Sequence, residues 1–418
     1  MKFTMFFAAL PALLFLFPGA VFSAPLSEAQ YLALVMERNN DLAAVSQEIG
    51  ARLFSARAEL SVQRPSLGLS AEASKWLDQE RGDQQIDLSL SHRVNLSGTY
   101  GLQERDLLLG VEILRNQYAD AVNERLALAA SAYRQAVMAA LNREAMEQIV
   151  AKRRESMLIT REKFDKELVS LLELLRAQSQ VDDGEAFLLQ ARQKYEQQLV
   201  EMSALAGGVS VTPEIMLPQL EELRPDIDEK KAWELRPDVA SLMLSRERAS
   251  VQRSLAAKGL SPFVDLSVGL RVRQDSSSAI ADERAGEVFV RAVLTVPLTD
   301  GGKTANTTEA AALLLRKAEY ELEARRDSLK KEAELVRERW GRALEIVTLR
   351  RRQAERADKE LEIAEMMYRE GLGSQLDLIT AQEADQKSRT ELINAIQELW
   401  LVLAEADRVM GRWVRRGE

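Results

Sequence analysis

Residues 368–382 read YREGLGSQLDLITAQ, and residues 164–178, which lie 204 positions earlier, read FDKELVSLLELLRAQ. The two stretches share the positions of several leucines, of one acidic residue and of a final Ala-Gln pair. A second match, at an offset of 197, places residues 40–43 (NDLA) opposite residues 237–240 (PDVA). Self-similarity at a nearly constant offset is typical of an internal repeat. The chain is therefore predicted to contain two copies of one structural unit.

Each copy contains a long stretch that favours helix. Proline is absent from residues 66–212 and again after residue 297, so no proline limits helix length over these ranges. Between residues 303 and 367 an apolar seam recurs mostly at steps of three and four, which is coiled-coil spacing. The seam consists of Leu315, Ala318, Leu322, Leu329, Ala333, Val336, Trp340 and Ala343. Shorter return helices are predicted at about 170–206 and 375–410, so each copy should end in a helical hairpin.

Two amphipathic strands precede the hairpin in each copy. Apolar and polar residues alternate from Gln85 to Leu96 and from Val264 to Val272, and two further strands are predicted at Leu67–Ala73 and Val288–Leu298. Such strands suit either a soluble sheet over a core or a barrel in a membrane. Four strands cannot close a membrane barrel, whose smallest members have about eight. A barrel would therefore need strands from several copies of the chain.

The composition excludes several classes of function. A formal net charge of -9 argues against a general nucleic-acid binder, because phosphate binding requires a basic surface. The chain has no cysteine and one histidine, His92, which removes thiol chemistry, disulfides and the usual zinc sites. His92 is predicted to be a surface or interfacial side chain. We therefore expect a protein that is not an enzyme and has no catalytic residues, no metal site and no cofactor.

The N-terminus is predicted to be a secretory signal peptide. Lys2 precedes an apolar stretch that runs to about Phe22, and small residues lie near the expected cleavage position. The alternative is a retained membrane anchor, which Pro11 and Pro18 disfavour. The predicted domains are a signal peptide (1–23), a first repeat (24–206), a linker or equatorial segment (207–225), a second repeat (226–411) and a C-terminal tail (412–418).

Four stretches resemble the TolC-like outer-membrane efflux proteins, the channel components of tripartite efflux and type I secretion systems. They are Leu26–Ala29, Leu235–Asp238, Val296–Lys303 and Tyr368–Gln382, in the order and spacing of that family. The resemblance implies a mainly helical α+β fold. Long periplasmic hairpins would form an α-barrel, and four transmembrane β-strands per chain would complete a 12-stranded barrel in a homotrimer.

The same resemblance implies a function and a location. The chain would be the passive export duct of a tripartite system in the bacterial outer membrane, with its helical part in the periplasm and metal cations, drugs or other small molecules as cargo. Its implied partners are two further copies of the chain, a periplasmic adaptor (membrane fusion) protein, an inner-membrane pump and outer-membrane lipid, but not nucleic acid. A type I protein secretion duct and a secreted coiled-coil scaffold remain as alternatives.

The resemblance also assigns residues at the hairpin tips. Asp377 would form a periplasmic gate with its repeat mate Glu173, since threefold symmetry gathers acidic side chains into rings that favour cations. Thr380 stands where some relatives carry a second acid, so a second acidic ring at this position is left undecided. Either acid could instead only stabilise a helix start. The expected adaptor contacts, which could equally be simple turns, are Leu168, Val169, Ser170, Gly371, Leu372, Gly373 and Ser374. Gly371 and Gly373 are expected to permit positive φ angles.

Overall fold

A computed structural model describes residues 25–61, 64–76, 81–216, 225–275 and 285–413. The predicted signal peptide lies outside these residues, as does most of the predicted tail. The helices are α1 (Glu28–Arg38), α2 (Asn40–Ser61), α3 (Thr99–Asp165), α4 (Leu171–Leu205), α5 (Glu229–Leu235), α6 (Pro237–Ala256), α7 (Lys303–Arg369) and α8 (Gln375–Val409). The strands are β1 (Ser66–Trp76), β2 (Arg81–Asn95), β3 (Phe263–Asp275) and β4 (Ala285–Thr295). A helix, two strands and a helical hairpin occur twice, which confirms the predicted duplication.

The four strands form one antiparallel sheet in the order β1-β2-β3-β4. Cross-strand pairs such as Leu88 with Leu270 and Val268 with Val290 place the apolar side chains on one face, as the alternation predicted. The prediction was wrong at the end of the last strand, because β4 ends at Thr295 and not at Leu298. Pro297 lacks the N–H that a ladder needs, and the next residues lead into α7.

The long helices α3 and α7 have 67 residues each, which corresponds to about 100 Å at 1.5 Å per residue. The predicted seam of α7 is confirmed, since Leu329, Ala333 and Val336 are buried and Trp340 is half-buried. Among the described helices, none combines the length and the apolar character that crossing a membrane requires.

The chain divides into two compact units, each built from parts of both repeats. Unit 1 contains Met1–Arg38, Ala129–Pro218 and Arg350–Gln397, and therefore both hairpin turns. In this unit the ring of Tyr31 stacks on that of Tyr133 at 5.8 Å, and the Tyr31 hydroxyl donates to the Met202 carbonyl. Burial raises the pKa of Tyr31 well above its usual value. The tyrosine pair thus stays neutral and fixes α1 within the unit.

Unit 2 contains Asn39–Leu128, Gln219–Leu349 and Glu398–Glu418, and therefore the whole sheet. One of its apolar clusters joins α5, α6, α7 and α8. Its buried members are Ala232, Val239, Leu329, Val336, Val402, Ala406, Val409 and Met410. Trp413, just after α8, is fully buried and donates from Nε1 to the Ala404 carbonyl. The end of α8 is thereby anchored in this unit.

A buried charge network lies at the start of α6 in unit 2. Pro237 is the first residue of this helix, a position where its fixed φ and missing N–H are tolerated. The Arg236 side chain is 3% exposed and donates to both oxygens of Asp238, at 2.7 and 2.9 Å. Burial alone would raise the pKa of Asp238, but the hydrogen bonds and charges of Arg236 and Arg325 lower it overall. Asp238 therefore stays ionised and holds α6 against α7.

Candidate functional site

The first hairpin tip, residues 166–170, reverses the chain between α3 and α4. The Glu167 N–H donates to the Phe164 carbonyl at 2.8 Å, and the Leu168 N–H donates to the Lys163 carbonyl at 2.9 Å. Glu167 has a φ of 59°, and it is the one non-glycine residue with positive φ in the described ranges. A side chain in this left-handed region is strained by roughly 1–2 kcal/mol.

The second tip, residues 370–374, makes the same turn between α7 and α8. The Gly371 N–H donates to the Tyr368 carbonyl at 3.2 Å, and the Leu372 N–H donates to the Met367 carbonyl at 2.8 Å. Gly371 has a φ of 77°, which confirms the expected positive φ at this position. The same expectation was wrong for Gly373, whose φ is not positive. A Cβ there would lie 3.1 Å from the Met367 Cβ, so close packing is the reason for this glycine.

Asp377 is part of a capping box at the start of α8. Its N–H donates to Ser374 Oγ at 3.2 Å, and the Ser374 hydroxyl and N–H donate to Asp377 Oδ2 at 2.6 and 3.2 Å. The hydrogen bond from the Ser374 hydroxyl, followed by that from the Ser374 N–H, lowers the pKa of Asp377. The carboxylate is exposed and stays ionised. Capping and a gating role are chemically compatible, because Oδ1 accepts no hydrogen bond within the described part of the chain.

Glu173 occupies the equivalent position in α4 but does not close a capping box. Its N–H donates to Ser170 Oγ at 3.3 Å, whereas no described hydrogen bond returns from Ser170 to the Glu173 carboxylate. Its main-chain carbonyl instead accepts from Gln375 Nε2 at 2.5 Å, which ties the start of α4 to the start of α8. Thr380 is exposed and donates to the Leu376 carbonyl of its own helix. The structure therefore brings together the helix starts that carry Asp377 and Glu173. The described hydrogen bond of Thr380 goes to neither residue.

A polar cluster that the sequence did not predict joins the two hairpins just before their turns. Tyr368 is 3% exposed, and its hydroxyl shares a 2.8 Å hydrogen bond with Thr160 Oγ1. The Lys163 ammonium donates to the Tyr368 carbonyl and lies 4.3 Å from the centroid of the Tyr368 ring. Burial raises the pKa of Tyr368. A sequence signal exists for the neighbouring contact of Gln375, because this residue is polar where its repeat mate is Leu171. In the structure Gln375 is buried.

Apolar side chains are exposed around both turns. Leu168 is 69% exposed and its repeat mate Leu372 is 76% exposed, while Val169 is half-buried. Further exposed leucines on the first turns of α4 and α8 are Leu171, Leu172, Leu175 and Leu376. Exposed apolar groups that cluster on a polar protein mark contact surfaces. No group of His, Asp and Glu side chains suited to a metal ion occurs among the residues that the structure describes.

Solved structures of outer-membrane channels have the same fold. CusC is 13% identical with a TM-score of 0.81, and the match covers 94% of this chain and 95% of CusC. VceC from Vibrio cholerae is 17% identical with a TM-score of 0.78, over 92% of this chain and 96% of VceC. CmeC from Campylobacter jejuni is 17% identical with a TM-score of 0.78, over 93% of this chain and 86% of CmeC. The expected fold, an α-barrel with a β-barrel, is thereby confirmed.

Comparison with curated proteins returned no match. Residues 230–405 match the model of a family described as outer membrane efflux protein. Channels of that family are trimeric, work with adaptor proteins and inner-membrane pumps, and are not known as enzymes. The predicted location, the bacterial outer membrane with the helical part in the periplasm, is confirmed. Residues 230–405 therefore match the outer membrane efflux protein family, and the chain as a whole has the fold of TolC-like outer-membrane channels.

Proposed function

We propose that three copies of this chain form the passive outer-membrane duct of a tripartite efflux system. The duct would carry small molecules, such as metal cations or drugs, from a periplasmic adaptor and an inner-membrane pump to the exterior. The match over residues 230–405 and the fold shared with outer-membrane channels support this proposal.

The observation that carries the proposal is the sheet. Its apolar face is exposed, with Val288 81% and Val290 79% accessible, and within one chain β1 and β4 each pair on one side only. An exposed apolar face with two unpaired edges is unfavourable in water. Three such sheets joined edge to edge would satisfy both edges and present the apolar face to lipid.

The hairpin tips are proposed to serve as gate and adaptor contact. Three exposed Asp377 carboxylates around one axis, with three Glu173 carboxylates nearby, would repel one another and attract cations. The adaptor would contact the exposed leucines of both turns together with Val169, Ser170, Gly371, Gly373 and Ser374. The Gln375 to Glu173 hydrogen bond supports a joint role, because it couples the two helix starts.

The test uses a host strain that lacks the gene, exposed to metal salts, hydrophobic drugs and detergents. Complementation compares the wild type with Asp377→Arg and with Glu362→Arg. Glu362 is an exposed acid of α7 without a described ion pair, so the second variant makes the same charge change away from the turn. Outer-membrane fractions are checked for heat-modifiable trimers of every variant.

We expect the wild type and Glu362→Arg to restore resistance to one cargo class, and Asp377→Arg to form trimers but fail to restore it. Equal rescue by all three proteins would show that Asp377 does not act as the gate. If the deletion strain stopped secreting a polypeptide but kept its susceptibility unchanged, the function would be type I secretion and not efflux. A protein that forms no outer-membrane trimer would contradict the channel itself and favour the coiled-coil scaffold.

A further inference from the structure

The polar face of the sheet carries an aromatic ring that lies across a glycine. Gly269 of β3 stands opposite Phe289 of β4. A Cβ at position 269 would lie 2.9 Å from Phe289 Cζ and would also collide with the Leu88 carbonyl oxygen. Only glycine therefore leaves room for the ring to lie against the backbone. The arrangement holds a flat apolar surface on a face that is built mostly from polar and charged side chains.

Two guanidinium groups flank this ring. The Cζ atoms of Arg271 and Arg291 lie 5.2 and 5.9 Å from the centroid of the Phe289 ring. These distances are those of cation–π contacts. Arg271 is neutralised, because it donates to both oxygens of Asp87 at 2.8 and 3.1 Å.

Arg291, in contrast, has no ion pair within the described part of the chain. The carboxylate diagonal to it, Asp265, is engaged through both oxygens by Arg93 at 2.7 and 3.1 Å. Glu287 of its own strand is four residues away, which is about 13 Å in an extended strand. Glu287 stands opposite Arg271 in the β3–β4 ladder, and no ion pair joins it to Arg291 in the described part of the chain. Arg291 therefore presents a positive charge without a direct carboxylate partner next to a fixed aromatic ring.

We propose that Phe289 and Arg291 form a binding subsite for aromatic organic anions on the wall of the channel. The ring of the ligand would pack against Phe289, and its carboxylate or sulfonate would pair with Arg291. The proposal rests on the trimeric channel proposed above, because only a closed barrel turns this polar face towards the lumen. Threefold symmetry then provides three such subsites, which favour aromatic anions among the small molecules that pass.

Planar lipid bilayers with the purified full-length protein provide the test. Single-channel current is recorded while benzenesulfonate is added, and cyclohexanesulfonate serves as the non-aromatic probe of equal charge and similar size. The variants are Arg291→Gln, Arg291→Lys and Phe289→Leu. Phe263→Leu is the matched control, since Phe263 lies on the same face and contacts Arg93, whose charge is already paired.

In the wild type, we expect benzenesulfonate to block the current at roughly fivefold lower concentration than cyclohexanesulfonate. Arg291→Gln should weaken the block by both anions about tenfold, while Arg291→Lys retains most of it. Phe289→Leu should abolish the preference for the aromatic probe, and Phe263→Leu should leave it unchanged.

Two results would overturn the subsite while leaving the channel intact. One is an equal block by both probes in a conducting wild-type channel, and the other is an unchanged block in Arg291→Gln. A protein that inserts as trimers but conducts no ions would contradict the proposed duct, and with it a lumenal position of Phe289. Unaltered conductance of the variants in the absence of probe shows that the barrel has folded.

Discussion

The two hairpin tips have the same backbone geometry but reach it with different residues. Glu167 and Gly371 occupy equivalent positions, have φ angles of 59° and 77°, and donate to the equivalent carbonyls of α3 and α7. The first tip therefore tolerates a strained side chain where the second has none. The difference shows that closure of the hairpin requires a positive φ at this position whichever residue occupies it. Glycine only reduces the conformational strain of that φ.

The tips also differ in how their contacts are distributed. The second tip has a buried tyrosine before the turn and a closed capping box after it, whereas the first has the half-buried Phe164 and a single serine cap. The second tip is therefore held by more side-chain contacts than the first. Three experiments follow from this comparison, in order of decreasing effect.

Tyr368→Ala should destabilise the protein more than the equivalent Phe164→Ala. Truncation of a buried aromatic side chain costs about 3 kcal/mol or more, and the half-buried Phe164 should cost roughly half of that. Tyr368→Phe, which removes only the hydrogen bond to Thr160, should cost about 1 kcal/mol. The measurement is the denaturant midpoint of the detergent-solubilised protein. Equal losses for the two alanine variants would contradict the difference in side-chain contacts between the tips.

Exchange of the two turn residues should give effects of opposite sign. Gly371→Glu should lower the free energy of unfolding by about 1 kcal/mol, because it places a side chain at positive φ. A Cβ at position 371 would have no neighbouring atom within 4 Å, so the cost comes from the backbone alone. Glu167→Gly should raise stability by up to about 1 kcal/mol.

Calorimetric transition temperatures of the two exchange variants check this prediction, and Glu370→Ala, next to Gly371 in the same turn, is the control. A destabilised Glu167→Gly variant would mean that the glutamate side chain makes a contribution larger than its backbone strain.

The smallest effect concerns acid stability at the second tip. The folded-state pKa of Asp377 is lowered, so its contribution to stability is fully present above the unfolded pKa of about 3.9. It is lost as the pH falls through the lowered folded pKa. We expect unfolding curves between pH 6 and 2.5 to show this loss in the wild type and a weaker loss in Asp377→Asn. Ser374→Ala should match Asp377→Asn, and an additive double variant would show that the two residues do not act as a pair.

Much of the fold was predictable from the sequence because periodicity is a local property. The alternation of β2 and the seam of α7 can be read without knowledge of what they contact, and the repeat fixes their order. The strand end at Thr295 was missed, because the apolar residues beyond it continue the alternation although Pro297 ends the ladder.

The sites were less predictable because their contacts join distant residues. The bonds from Tyr368 to Thr160 and from Gln375 to Glu173 link positions more than 200 residues apart, and no periodicity reports them. The buried pairing of Arg236 with Asp238 was also not predicted, because burial at a helix start leaves no periodic pattern. The roles of Asp377, Glu173 and Thr380 in gating stay predictions, since they depend on symmetry-related copies.

Unit 2 draws on three separate stretches of the chain, of which the last begins at Glu398 and includes the fully buried Trp413. A polypeptide emerges with its N-terminus first, so all four strands emerge before residues 398–413, which cover the cluster on α7. Contacts between such remote stretches also form slowly. During that interval the apolar surfaces stay open to other molecules, and a chain that stops before Trp413 would remain in this vulnerable state. The last helix and Trp413 thus contribute the C-terminal part of the unit 2 core.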